Sequence, residues 1–151
     1  MSFEAPYSKK EELLNVVSHA LGILFAAFVI WDLFKQANSV KGYASTVVYG
    51  SSLFILFLSS TLYHASVRPK LRAFYKKCDH CAIYMLIAGT YTPFLLLSLS
   101  GIWSWATLVF IWSVGTLFYS AKNTQYSHAI WHLFVIGGCV SHYIAITHYV
   151  Y

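Results

Sequence analysis

The sequence predicts an all-α, polytopic transmembrane helix bundle with about five spans. Three observations carry that reading. Apolar residues make up 58% of the 151 residues and charged residues only 10%, where soluble chains carry roughly 25% charged residues. The mean hydropathy is +0.60. The apolar residues also gather in long continuous runs separated by short basic loops. A body this small has too much surface per volume to hide so much apolar area from water; a bilayer acts instead as the solvent for its outer face. The runs lack the strict alternation of barrel strands, so helices are expected. Residues 1–151 read as a single transmembrane domain.

The first span is expected at 13–34. It is long enough to cross a hydrocarbon core of about 30 Å at 1.5 Å per residue. The polar start of the chain and the length of this first run argue against a cleaved signal peptide, so the run is expected to remain as a span. The second span is expected at 43–65 and the third at 79–99, with Pro93 inside it. Proline removes one backbone hydrogen bond, which predicts a kink there. The fourth is expected at 102–121 and the fifth at 128–149. Trp103, Trp105, Tyr143, Tyr149 and Tyr151 fall near span ends, as an aromatic belt or as lipid-facing bulk. Gly115, Gly137 and Gly138 would permit close helix packing.

Loop charge sets the orientation. Lys9, Lys10, Arg68, Lys70, Arg72, Lys76, Lys77 and Lys122 fall on one side, and only Lys35 and Lys41 on the other. The positive-inside rule places the N-terminus in the cytoplasm and, after five crossings, the C-terminus outside. The net charge of +5 is thereby explained by topology in a cell-membrane protein, with no nucleic-acid partner implied. Cys78, Cys81 and Cys139 are an odd number and form no disulfide framework. The Cys78-x-x-Cys81 spacing lacks the further ligands that a structural zinc site needs.

Polar side chains inside spans require partners and are functional suspects. Ser60 and His64 lie at the cytoplasmic end of the second span, Asp79 and His80 open the third, and His128 and His132 open the fifth. These groups share one membrane depth. The i, i+4 spacing of His128 and His132 sets both imidazoles on one helix face, about 5–6 Å apart at Cβ. With His64 as a third nitrogen, they suit an open, tetrahedral zinc site of hydrolytic type. The intervening Ala129, Ile130 and Trp131 exclude the H-E-x-x-H protease motif, so a general base must come from elsewhere, and Asp79 is the candidate. Ser60, one turn before His64, would bond a water or substrate oxygen, or else a backbone carbonyl one turn earlier. His19 reads as a supporting or an interfacial residue.

Four stretches carry a family resemblance: Glu12-Leu-Leu-Asn-Val-Val-Ser-His19, Ser60-Thr-Leu-Tyr-His64, the run from Cys78 through Asp79 to Pro93, and His128-Ala-Ile-Trp-His132 with the apolar run to His142. The chain resembles the haemolysin III family, related to the progestin and adipoQ receptors. The resemblance implies a Zn2+ ion held by His64, His128 and His132 near the cytoplasmic face, with Asp79 beside it and Ser60 as the motif serine. It also implies a membrane lipid as substrate or ligand. Family members are expected to have seven spans. The fourth run here reads as a fusion of two family helices around 111–115, leaving a gap that a homo-oligomer or lipid tails would fill. Four readings compete, one of them a non-catalytic shortened relative that keeps only the remnant of the fold; the other three are functions. One is hydrolysis of a lipid amide or ester, as in ceramidases. The second is cytolysis by pore formation, and the third is lipid sensing by a non-catalytic, receptor-like protein.

Overall fold

The computed structural model describes residues 7–98 and 127–151, excluding the side chains of 88, 95, 127–131 and 134. The described residues form four α-helices and no strand: α1, Lys9–Gln36; α2, Val40–Ala65; α3, Pro69–Pro93; and α4, Ser127–Tyr149. The predicted fourth span at 102–121, with its proposed fusion point, lies outside the described residues.

Local chemistry sets the boundaries. Ser8 caps α1: its Oγ accepts the Glu11 N–H, and its own N–H donates to Glu11 Oε2 at 2.8 Å. This reciprocal pair satisfies two donors that the helix start leaves without partners. Ser39 caps α2 by accepting the Gly42 N–H at 3.1 Å. Pro69 opens α3 at a position where its missing N–H costs nothing. The third helix therefore starts ten residues before the expected Asp79. Hydropathy registers only the apolar part of a helix, whereas Pro69 and the polar turns after it continue the same hydrogen-bond ladder below the apolar zone. Asp79 consequently sits well inside α3 instead of opening it. The disturbance expected at Pro93 takes a definite form: the backbone passes there into a π-helical turn, Phe94–Ser98. The wider i→i+5 spacing absorbs the bond that proline removes.

The segments Lys9–Gln36, Val40–Ala65 and Pro69–Ser98 are long and apolar enough to cross a membrane. At 1.5 Å per residue the 28 residues of α1 extend about 42 Å. The buried residues of α1 are Asn15, His19, Gly22, Ala26, Val29 and Leu33, a stripe repeating every three and four residues as in a coiled-coil seam. Leu13, Val17, Leu21, Leu24, Phe28 and Trp31 form an exposed stripe on the same helix, suited to lipid tails.

α2 is the central helix, with 56% of its apolar window buried against 28% for α1 and 31% for the third span. It runs antiparallel to α1, since Asn15 meets His64 near one end and Gly22 meets Phe57 further along. It runs antiparallel to α3 in the same way: Ser60 bonds Asp79, and Gly89 lies against Ser52. Both glycines act through their lack of a side chain. A Cβ on Gly22 would lie 2.3 Å from the Phe57 ring, and one on Gly89 would lie 2.2 Å from Ser52 Oγ. Small residues let membrane helices approach until dispersion contacts hold them together. Among the described residues nothing lies within 4 Å of a Cβ on Gly137 or Gly138, and Gly115 lies outside the described residues.

α4 lies parallel to α1. Ser18 meets His132 toward one end, and the Tyr143 hydroxyl donates to Asp32 at 2.7 Å toward the other. Tyr49 donates to the Cys139 carbonyl at 3.3 Å, and the Tyr151 hydroxyl donates to the Gly42 carbonyl at 2.6 Å. Ala26, Val29, Leu33, Tyr49, Leu53, Phe57, Cys139 and Ile146 form the core among these three helices. Two of the expected belt residues, Tyr143 and Tyr151, thus fasten α4 to its neighbours, and Tyr149 is exposed.

Candidate functional site

The bundle gathers buried polar groups at the end where α1 begins. Asn15, His19, Ser60, His64, Arg72, Asp79 and His132 are all at least nine-tenths buried. Hydrocarbon surroundings penalise such groups unless each finds a partner, and the contacts among them define the site.

α2 contributes Ser60 and His64, one turn apart on a shared face. Ser60 donates its hydroxyl proton to the Asp79 carboxylate of α3. Its neighbours behave differently: Ser52, Ser59 and Thr61 donate to carbonyls of their own helix at 2.7, 3.0 and 2.7 Å. The backbone-directed alternative holds for those three, and Ser60 reaches across to α3. Asp79 also lies 3.9 Å from His80 Nδ1, while His80 Nδ1 stands 2.6 Å from the Lys76 carbonyl.

The His64 side chain is fully buried, and its Nδ1 stands 2.7 Å from Glu12 Oε2. The other oxygen of Glu12 is paired with Arg72 of α3. Arg72 also donates to the Ser66 carbonyl at 3.3 Å and lies over the Tyr63 ring at 4.8 Å. Tyr7, just before α1, places its ring 5.8 Å from that of His64. Burial, reinforced by Tyr63 and the charge of Glu12, pushes the Tyr7 phenol up to about 12.

α4 delivers His132. Its ring is stacked on His19 with centroids 3.6 Å apart, and its centroid is 5.3 Å from that of His64. Ser18 Oγ lies 3.4 Å from its Nδ1. The parallel course of α1 and α4 produces this meeting by bringing the start of α4 to the level of His19.

Of the expected site residues, the structure brings together His64 with His132 and Ser60 with Asp79. His128 occupies the first turn of α4, and its side chain lies outside the described residues. Among the described residues, no group of three or more His, Cys, Asp or Glu side chains is arranged to hold a metal ion. The sequence reading assigned Arg72 only to the loop charge and Glu12, Asn15 and Ser18 only to a motif, with no place at the site. A signal was present: Glu12, Asn15 and His19 recur at helical spacing on the inner stripe of an otherwise apolar span, where polar residues are costly.

The family model described as Haemolysin-III related matches residues 7–122. This chain belongs to that family. It is 32% identical to "Hemolysin-3" of Bacillus cereus over 203 residues, covering 93% of this chain and 92% of the relative. It is 29% identical to "Hemolysin-3 homolog" of Bacillus subtilis (strain 168) over 204 residues, covering 95% and 96%. No solved structure matches. The first alignment is longer than the chain itself, so at least 52 of its positions, the difference between 203 and 151, have no residue here. That shortfall has the length of two spans of about 20 residues with their connections. The chain is a multi-pass, all-α membrane protein and a shortened member of its family.

Proposed function

We propose that the chain is a zinc-dependent hydrolase of a membrane-lipid amide or ester, with its site at the cytoplasmic end of the bundle. One observation carries the reading: Ser60, His64, Asp79 and His132 are 1%, 4%, 7% and 2% exposed at one end of an otherwise apolar assembly. Structural needs alone rarely gather so many costly groups in one place.

His64, His128 and His132 would hold the metal. The fit rests on two neutral-donor imidazoles already side by side in a buried setting, the donor type that zinc prefers. When bound, zinc supplies a Lewis acid that polarises a carbonyl and makes water nucleophilic at neutral pH. Asp79 acts as the general base. Its carboxylate accepts a proton from the attacking water and returns it to the departing amine or alcohol. Ser60, bonded to that carboxylate, holds it in one orientation. The basic start of α3 lies at the same end, which supports a cytoplasmic side for the site.

Metal quantification on purified protein tests the reading. About one zinc per chain is expected, lost in His64→Ala, His128→Ala and His132→Ala. Asp79→Asn should keep the metal and abolish turnover of a labelled ceramide-like lipid. Equal zinc loss in Asp79→Asn and His128→Ala would show that Asp79 is a ligand. Zinc without turnover on amide or ester lipids would favour the lipid-sensing role. The names of the relatives, "Hemolysin-3" and "Hemolysin-3 homolog", support cytolysis as a second reading. Dye release from liposomes by wild type and by the histidine variants alike would establish it.

A further inference from the structure

We propose that α1 orients the site histidines, with Glu12, gripped by Arg72, as the positioning residue for His64. The proposal rests on the zinc reading above and adds how the ligands are prepared.

The bonding rules decide which ring nitrogen carries the proton. An ionised carboxylate can only accept hydrogen bonds. Glu12 Oε2 lies 2.7 Å from His64 Nδ1, so that nitrogen is the donor, and in the neutral ring the lone pair falls to Nε2. The structure places Asn15 Nδ2 3.4 Å from the same Nδ1 and leaves the buried Asn15 Oδ1 without a hydrogen bond. A proton on Nδ1 requires the amide to be turned over, so that its oxygen accepts from the ring and two donors do not oppose each other.

His132 follows the same logic from a different residue. Ser18 donates its only hydroxyl proton to the Asn15 carbonyl at 3.1 Å. Its oxygen, 3.4 Å from His132 Nδ1, is left to accept, so His132 also carries its proton on Nδ1. Glu12 and Ser18 lie six residues apart on one helix and assign the same tautomer to histidines on two others. Metal-binding histidines characteristically donate the second ring N–H in this manner, which fixes the ring and raises its basicity.

Arg72 makes the arrangement more than a packing contact. A carbonyl oxygen would satisfy an imidazole N–H without any charge. A carboxylate and a guanidinium whose side chains are 14% and 7% exposed must each be desolvated, a cost that only close, well-matched pairing offsets. The pair links α1 to α3 across His64 of α2. It holds the carboxylate in position next to the ring.

The test uses metal-free protein in lipid nanodiscs with 15N-labelled histidine, followed by titration with zinc alone. In wild type, the ring nitrogen shifts of His64 and His132 should report a proton on Nδ1. Glu12→Ala should mix the tautomers of His64 and leave His132 unchanged. Glu12→Gln keeps the shape without the charge, and should weaken zinc binding by about 10- to 100-fold with unchanged helix content. Ser18→Ala should alter the His132 signals alone. A proton on Nε2 of His64 in wild type would overturn the proposal, as would zinc affinity within about twofold of wild type in a folded Glu12→Ala. If wild type binds no zinc, the metal reading fails by itself, and the tautomer spectra still decide what Glu12 does.

Discussion

Replacing Gly22 with alanine tests how closely the site depends on the contact between α1 and α2. A Cβ there would lie 2.3 Å from Phe57 Cδ1 and 2.6 Å from both Cγ and Cε1, whereas ordinary contact starts at 3.4 Å. The contact includes Cγ at the base of the ring, so rotating the ring offers no relief. Phe57 is fully buried and stands edge-on to His19 at 5.2 Å. The helices must therefore separate by roughly 1 Å, and overpacking of this kind costs about 1–3 kcal/mol. Alanine itself favours a helix over glycine by up to about 1 kcal/mol, so the comparison needs a control. Gly42→Ala supplies one, because its Cβ would meet neighbours at an ordinary 3.4–3.5 Å. In reversible unfolding by denaturing detergent, Gly22→Ala should be less stable than Gly42→Ala by about 1–3 kcal/mol, or about 5- to 150-fold in the equilibrium constant. Zinc affinity should fall with it, since α1 carries Glu12, Asn15 and Ser18. Equal stability of the two variants would refute the claim that the α1–α2 contact is closed at Gly22.

Two further outcomes follow. A C-terminal reporter active only outside the cytoplasm should be active, because eight of ten Lys and Arg residues fall on the N-terminal side of five expected crossings; activity of a cytoplasm-only reporter would overturn this topology. The Tyr7 phenol should titrate near 12, read as the absorbance difference between wild type and Tyr7→Phe. Its pKa in the fold is raised above the ordinary value near 10, so its contribution to stability is complete below pH 10 and is lost as pH climbs through 12. Titration near 10 would mean that the segment before α1 is solvated.

The sequence by itself determined the class of the protein, because hydropathy and charge act through local composition. Long apolar runs have to be membrane helices wherever they pack, and basic loops bias their orientation. The positions of α1, α2 and α4 were legible for that reason, as were the chemical types gathered at one depth. The start of α3 was not, since residues 69–78 interleave Lys70, Arg72, Lys76 and Lys77 with apolar side chains and make no continuous apolar run, and only the helical ladder from Pro69 reveals them. Partners were decided by the tertiary structure alone. Spacing showed that Ser60 and His64 share a face, and only the antiparallel packing of α2 on α3 gave Ser60 to Asp79. Glu12 and Arg72 are sixty residues apart and meet through two interhelical contacts. His19 and His132 meet because α1 and α4 run parallel. A one-dimensional pattern fixes which residues of a helix share a stripe; which stripe faces which depends on where helices can approach most closely, at Gly22 and Gly89, and that is a property of the assembled surfaces.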